Sequence, residues 1–379
     1  MGNVEQRTGA WRDGDPVGRR RFVDVGTVPL ERGGEVPDVR MAYETWGRLD
    51  DDGRNAVLIL HALTGDSHVV GPAEPGHPTD GWWQGMVGPG CPIDTDRYFV
   101  VAPNVLGGCQ GTTGPASDAP DGRPWGSRFP YLTVRDQVEA ERRLADALGI
   151  DTWAAVLGGS MGGMRVLEWA VMFPDRVRGI VPIAVGAAAS ADQIALQSIQ
   201  VQAIRSDPDF RDGDYLRADH GRAPLTGLAL ARRLAHWTYR SREELDQRFG
   251  REPQGHEDPL SFEGRFTVQS YLDHHGAKLV RRFDAASYVV LTESMNGHDV
   301  GRGRGDAAAA LARYPGAATV LGIDSDRLYP VDEQHELARL LPGSQDRATV
   351  LSSPHGHDSF LIEVEAVGAA VAELLAEVG

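Results

Sequence analysis

The sequence is poor in lysine and cysteine, and it has no long hydrophobic run. Lys278, the only lysine, follows an alanine, which excludes the Gly-Lys-Ser/Thr sequence of a Walker phosphate loop. Cys91 and Cys109 are too few for a disulfide framework, so we expect free thiols in the reducing cytoplasm. No stretch approaches the ~18 apolar residues of a membrane span. We therefore expect a cytoplasmic protein without a membrane partner.

Acidic residues outnumber basic ones, and the net charge of −16 argues against nucleic acids and anionic surfaces as partners. The length of 379 residues suits one large domain or a domain carrying an insertion. Residues 1–16 are polar and lack the apolar core of a signal peptide, so we expect a poorly ordered leader. The histidines and cysteines lack the spacing of metal ligands, and we expect neither a metal nor a permanently bound cofactor.

Short apolar runs alternate with helical patterns from about residue 57 onward, which is typical of a mostly parallel α/β sheet with helices on both faces. Predicted strands are 57–60, 98–102, 154–157, 177–185, 317–323 and 348–351, and predicted helices include 132–148 and 360–377. Residues 186–315 are helical and charged. We predict a core of residues 1–185 and 316–379, with residues 186–315 inserted as a helical lid over the carboxyl ends of the strands.

The most informative stretch is Gly158-Gly-Ser-Met-Gly162, which follows an apolar strand and precedes a helical pattern. This arrangement is typical of a nucleophile elbow, in which small neighbours permit a sharp turn at the serine. We predict that Ser160 is a nucleophile. The amide of Met161 is the predicted first oxyanion donor, and the amide of Leu63, in a loop after an early strand, is the second.

A serine nucleophile needs a base and a carboxylate that orients it, in the chain order serine, acid, histidine. The loop after the last predicted strand holds His355 and His357, and we favour His357, which lies just before the C-terminal helix. The loop after the preceding strand holds Asp324 and Asp326. These two carboxylates are equivalent on chemical grounds, so the residues leave that choice open.

Seven motifs, in order along the chain, resemble those of the homoserine O-acetyltransferases, which are CoA-dependent acyltransferases with the α/β-hydrolase fold. They occupy residues 61–66, 104–115, 158–163, 231–239, 298–303, 325–330 and 356–360. The resemblance implies that Asp326 is the carboxylate and His357 the base.

The same resemblance suggests how the amino acid is held. It implies that Asp358 binds the amino group of homoserine and that Arg232 binds its carboxylate, with Thr64 and Tyr239 as weaker candidates. A zwitterion needs one fixed anion and one fixed cation, and arginine offers a two-pronged fork to a carboxylate.

The activity that the resemblance implies is ping-pong transfer of acetyl from acetyl-CoA to L-homoserine through an acyl-serine, in methionine biosynthesis. We also expect a homodimer formed through the lid helices. The triad itself leaves other donors and acceptors open, such as succinyl-CoA or serine. An esterase and a non-catalytic binding protein remain the alternatives from other functional classes.

Overall fold

A computed structural model describes residues 8–216 and 222–379 of the chain. Eleven strands lie in these residues, and nine of them form one sheet in the order β1-β2-β6-β3-β7-β8-β10-β11, with β9 beside β8. The strands are β1 Arg21–Pro29, β2 Glu35–Trp46, β3 Ala56–Leu60, β4 Val87–Gly88, β5 Ile93–Asp94, β6 Phe99–Pro103, β7 Trp153–Gly159, β8 Val177–Ile183, β9 Ala317–Ala318, β10 Val320–Ile323 and β11 Ala348–Leu351.

The central strands are parallel and covered on both faces, which confirms the predicted fold class. Every residue of β3 and β7 is buried, as expected for strands that read as continuous apolar runs. Successive residues of β3 point to opposite sides. Leu58 and Leu60 belong to one hydrophobic cluster, whereas Val57 and Ile59 belong to another on the other face.

Helices pack on both faces of this sheet. The helices of the described residues are α1 Val134–Ala147, α2 Met161–Met172, α3 Ala191–Arg205, α4 Leu225–Thr238, α5 Arg242–Phe249, α6 Thr267–Val280, α7 Ala285–Asn296, α8 Ala307–Leu311, α9 Val331–Leu340, α10 Ser359–Ile362 and α11 Val364–Val378. Those in extensive contact with the strands are α1, α2, α9 and α11. The α1 helix begins where Thr133 and Asp136 form a reciprocal capping box, which satisfies two amides that the first turn leaves free. None of the described helices is long and apolar enough to cross a membrane.

Two predicted elements are interrupted in the structure. The predicted strand 317–323 is split into β9 and β10, both of which pair with β8. Pro182 of β8 lies between the two paired stretches. It has no N–H to donate, so the hydrogen-bonded pairing is interrupted there. The predicted helix 360–377 is split at Glu363, whose carboxylate accepts a hydrogen bond from Ser353.

The described residues between β8 and β9 contain helices α3 to α8 and no strand of the sheet. Within this helical segment, α4 packs against α3 and α6, and α3 also packs against α7. The division of the chain into a core and a lid stays a prediction from the sequence.

Two features at the beginning of the chain differ from the expectation. The antiparallel strands β1 and β2 lie at one edge of the sheet, before the point at which the sequence indicated strands. In addition, Gly9 donates its N–H to the Phe283 carbonyl and Trp11 to that of Cys109. This part of the expected leader is therefore bonded to the domain, and residues 1–7 lie outside the described residues.

Candidate active site

The glycines around Ser160 are required by close backbone contacts. A Cβ on Gly162 would lie 2.1 Å from the carbonyl oxygen of Leu60, and one on Gly158 would lie 2.5 Å from the same atom. A Cβ on Gly159 would lie 2.6 Å from the ring of Phe360. Real side chains do not approach this closely, so the turn between β7 and α2 accepts only glycine at these positions.

Ser160 lies at the apex of this turn with φ +57° and ψ −125°, a strained conformation for a residue with a side chain. Its N–H donates to the Ile183 carbonyl at the end of β8, which holds the turn against the neighbouring strand. Ser160 immediately precedes α2, so its hydroxyl lies near the positive end of the helix dipole. The sequence prediction of a strand-turn-helix elbow is confirmed.

His357 and Asp326 form a buried pair. His357 Nδ1 lies 2.6 Å from Asp326 Oδ2, and the other carboxylate oxygen accepts the N–H groups of Leu328 and Tyr329. Burial alone would lower the pKa of His357, but the charge and hydrogen bond of Asp326 raise it above the ordinary value. The Asp326 carboxylate also fixes the orientation of the ring, because it accepts the hydrogen bond that the N–H at Nδ1 donates.

The two alternatives that the sequence left open lie elsewhere. Asp324 accepts the N–H of Ser353, and His355 Nδ1 lies 3.4 Å from Glu244. Neither contacts the His357 pair, so Asp326 and His357 are the residues that the structure brings together.

A cavity of about 130 Å³ lies at the carboxyl ends of the strands. Seven of the nine predicted site residues line this cavity, together with other side chains. The seven are Leu63, Thr64, Ser160, Arg232, Tyr239, His357 and Asp358. Asp326 lies behind His357, and Met161 is buried in the first turn of α2. His357 Nε2 has no hydrogen-bond partner in the described part of the chain, so this nitrogen is available to a group in the cavity.

The loop after β3 is held by two groups and leaves an amide available. His61 contacts the Ala62 carbonyl through Nδ1 and accepts the N–H of Val105 through Nε2. Burial lowers the pKa of His61 to about 3, so it is a neutral residue that orders the loop. Within the described residues, the amides of Leu63 and Met161 donate to no protein group. The two amides predicted as oxyanion donors are thus both free.

The cavity contains one predicted cation and one predicted anion that do not pair with each other. Arg232 donates to the Thr64 hydroxyl at 3.3 Å and lies over the ring of Tyr239. Asp358 instead pairs with Arg240 at 3.2 Å. Burial raises the pKa of Asp358, against the opposing charges of Arg240 and Arg232. A zwitterionic ligand would therefore meet separated charges of opposite sign.

The sequence of this chain matches known proteins over almost its whole length. Residues 55–364 match the family model of the α/β hydrolase fold. The chain is 62% identical over 370 residues to a homoserine O-acetyltransferase from Clavibacter michiganensis subsp. michiganensis, a match that covers 97% of this chain and 95% of that protein. This chain belongs to the homoserine O-acetyltransferase family of α/β hydrolases.

Solved structures agree with this membership. The structure of homoserine O-acetyltransferase from Bacillus anthracis has a TM-score of 0.85 at 25% identity, over 94% of this chain and 97% of that one. The structure of esterase E22 has a TM-score of 0.84 at 25% identity, over 94% and 99% of the two chains. Because the fold occurs in a transferase and in an esterase, the fold alone does not select the activity. The sequence relatives place this chain among the acyltransferases.

Three residues in or beside the cavity, whose contacts support it, were not predicted from the family motifs. Arg240 pairs with Asp358. It directly follows the motif 231–239, and this position in the sequence could have identified it as a site residue. Arg282 lines the cavity and donates to the Thr64 carbonyl at 2.7 Å. Trp82 also lines the cavity and is held by a bond to the Asp66 carbonyl. The last two come from distant segments, and only the folded chain brings them to the site.

Glu44, His68 and His77 form a buried cluster beside this region, with ligand-type atoms within 4.8 Å of one another. The two imidazole rings are stacked, 3.9 Å apart and tilted by 13°, so lone pairs that lie in these two nearly parallel planes do not converge on one ion. His77 Nε2 already accepts the N–H of Arg19, and Glu44 accepts the hydroxyl of Ser67. The cluster is better suited to holding the segment that carries His68 and His77 by hydrogen bonds than to binding a metal. The absence of a metal stays a prediction.

Proposed function

We propose that this member of the family transfers the acetyl group of acetyl-CoA to L-homoserine by a ping-pong mechanism, as a step of methionine biosynthesis. The observation that carries the proposal is the content of one cavity. Ser160 and His357 lie there together with Arg232 and Asp358, a cation and an anion that are not paired with each other. A simple esterase has no need of such a pair, whereas an amino acid substrate does.

In the first half-reaction, His357 Nε2 takes the proton of the Ser160 hydroxyl, and the serine oxygen attacks the thioester carbonyl. Asp326 holds the imidazole and stabilises the imidazolium, which agrees with the raised pKa of His357. The amides of Leu63 and Met161 donate to the oxyanion. One such donor lowers the activation barrier by ~3 kcal/mol. The thiolate of CoA leaves with the proton from His357, and the acetyl group remains on Ser160.

In the second half-reaction, homoserine enters with its carboxylate on Arg232 and its ammonium on Asp358. Thr64 and Tyr239 line the same space and complete its surroundings. His357 takes the proton of the substrate hydroxyl, whose oxygen attacks the acetyl carbonyl. The proton returns to Ser160, and O-acetylhomoserine leaves. The helical segment acts in this proposal as a lid that limits hydrolysis of the acyl-enzyme.

Initial rates over a matrix of donors and acceptors test the proposal. We expect acetyl-CoA with L-homoserine to be the preferred pair over succinyl-CoA and over L-serine, with parallel double-reciprocal lines. Ser160→Ala is the control, since it removes the nucleophile and leaves the cavity otherwise unchanged. Preferred use of succinyl-CoA, or acetyl ester hydrolysis that is indifferent to homoserine, would contradict the assignment.

We further propose a cytoplasmic homodimer joined through α3 and α4. Large apolar side chains are exposed on these helices: Ile199 by 55%, Leu230 by 45% and Trp237 by 47%. An exposed apolar patch of this kind favours burial against a second copy. Cys91 and Cys109 are unpaired, in keeping with a reducing compartment.

Size-exclusion chromatography with light scattering tests the assembly. We expect the mass of a dimer for the wild type and of a monomer for Leu230→Glu. Ile362→Glu, on α10, changes a similarly exposed residue and should leave the dimer intact. A monomeric wild type would contradict the proposal.

A further inference from the structure

A second cavity, of about 360 Å³, adjoins the candidate active site. One wall is the end of α6 and the residues that follow it, and the other wall is Pro78 and Thr79. His274, Lys278 and Arg281 are spaced by four and three residues, so they lie on one face of the helix end. Arg282 lines this cavity and also the active-site cavity. Arg282 is therefore shared by the walls of the two cavities.

The lining of this second cavity is strongly basic. It contains Lys278, Arg281 and Arg282 and no acidic residue, although the chain as a whole carries a net charge of −16. The only lysine of the chain is thus placed here. Lys278 is exposed and forms no ion pair with any described residue. The three cations outweigh the partial negative charge at the C-terminal end of α6.

Arg282 is held at the junction of the two cavities. It donates to the carbonyl of Thr64 at 2.7 Å, and Thr64 belongs to the loop that carries the Leu63 amide. A ligand whose reacting end lies at Ser160 and that extends past Arg282 would reach the basic walls. The cavity at Ser160 is small, about 130 Å³, so it accommodates the reacting end of a long ligand and not the whole of it.

We propose that the basic cavity binds the phosphate groups of the acyl donor, so that Lys278, Arg281 and Arg282 recognise the nucleotide end of an acyl thioester while the thioester lies at Ser160. Arginine forks and a lysine point charge are the side chains that bind phosphate in proteins. An acidic protein also repels a polyanionic substrate, and a local positive cavity reverses that field at the entrance. This inference rests on the proposed function, because it assigns a subsite to the same reaction.

The test compares acetyl-CoA with S-acetylpantetheine, which keeps the thioester end but lacks the phosphates and the adenosine together. With acetyl-CoA, we expect Lys278→Met to raise KM roughly tenfold, the loss of one charge-assisted contact. With S-acetylpantetheine, which has the same thioester and no phosphate, the variant should match the wild type. Arg339→Met removes one positive charge from α9, which lines neither cavity, and should leave both donors unaffected.

Other outcomes of the comparison overturn the proposal. Equal effects of Lys278→Met on the two donors would show a general structural role, and no effect on either would show that Lys278 does not bind the donor. Acetyl-CoA lacking only the 3′-phosphate separates that group from the diphosphate: its KM for the wild type should lie between those of the two donors. A wild type that forms no O-acetylhomoserine from any donor would instead refute the proposed function.

Discussion

Asp326 and His357 are joined by a contact of 2.6 Å between Oδ2 and Nδ1, and both side chains are buried. The remaining oxygen of Asp326 is fixed by two backbone amides. The orientation of the imidazole is therefore set by the loop after β10, which reaches a histidine from the loop after β11. The geometry of these two loops therefore sets how His357 is presented as a base.

Replacing the carboxylate by an amide should disable the base without disturbing the fold. Asp326→Asn removes the charge and permits the wrong imidazole tautomer, so we expect kcat to fall by ~10⁴-fold, as in other Ser-His-Asp triads. Steady-state kinetics measure the loss, and circular dichroism checks the fold. A variant that keeps more than a tenth of the wild-type kcat would show that Asp326 does not orient His357.

The pH dependence of kcat/KM for acetyl-CoA should report the raised pKa of His357. His357 must be neutral to take a proton, so kcat/KM should increase as pH rises through its pKa, with a midpoint above the ~6.5 of a free imidazole. In Asp326→Asn, the residual activity should show a lower midpoint, because the charge that raises the pKa is gone. A wild-type midpoint below the free value, or one that does not move in the variant, would contradict this account.

Arg232 should act on the second half-reaction alone. We expect Arg232→Met to raise KM for L-homoserine by roughly tenfold to a hundredfold, since a charge-assisted contact to the substrate carboxylate is lost. The rate of CoA release from acetyl-CoA in a single turnover should stay within about twofold of the wild type. Arg233→Met is the control, because Arg233 pairs with Asp273 on the surface. Equal effects of the two variants on homoserine would argue against the assigned role.

The elbow should not accept a methyl group at Gly162. Gly162→Ala places a Cβ 2.1 Å from the Leu60 carbonyl oxygen, so β3 or α2 must shift. We expect the free energy of unfolding to fall by ~1–3 kcal/mol more than in Gly303→Ala. Gly303 has a positive φ, which Gly162 does not, so its alanine variant carries backbone strain without a close contact: its Cβ would meet nothing within 4 Å. Urea denaturation measures both values, and equal losses would show that the close contact is relieved without cost.

Sequence patterns predicted the parallel core because its strands are buried on both faces. The β3 strand is a continuous apolar run, and such a run is visible without knowledge of its neighbours. The edge strand β1 is mostly half-exposed, and its residues do not form an apolar run of that kind. The interruption at Pro182 also follows from pairing with β9 and β10, which is a property of the assembled sheet.

The site was predictable where a motif carries the chemistry and not where a distant segment supplies the contact. Asp324 and Asp326 follow the same strand and have the same side chain, so the residue pattern alone left the choice open. The family resemblance pointed to Asp326, and the folded loop places that carboxylate against His357. Arg240 contributes to the site by pairing with the carboxylate of Asp358, which lies more than a hundred positions further along the chain. The contribution of Arg282 likewise depends on how α6 ends beside the loop of Thr64.

The most direct test of the central claim is the intact mass of the protein after mixing with acetyl-CoA in the absence of homoserine. We expect one acetyl group on Ser160, located by peptide mapping, and its loss on addition of L-homoserine with formation of an equal amount of O-acetylhomoserine. Ser160→Ala should acquire no acetyl group. An unmodified wild-type protein that nevertheless forms O-acetylhomoserine when both substrates are present would contradict the acyl-serine mechanism.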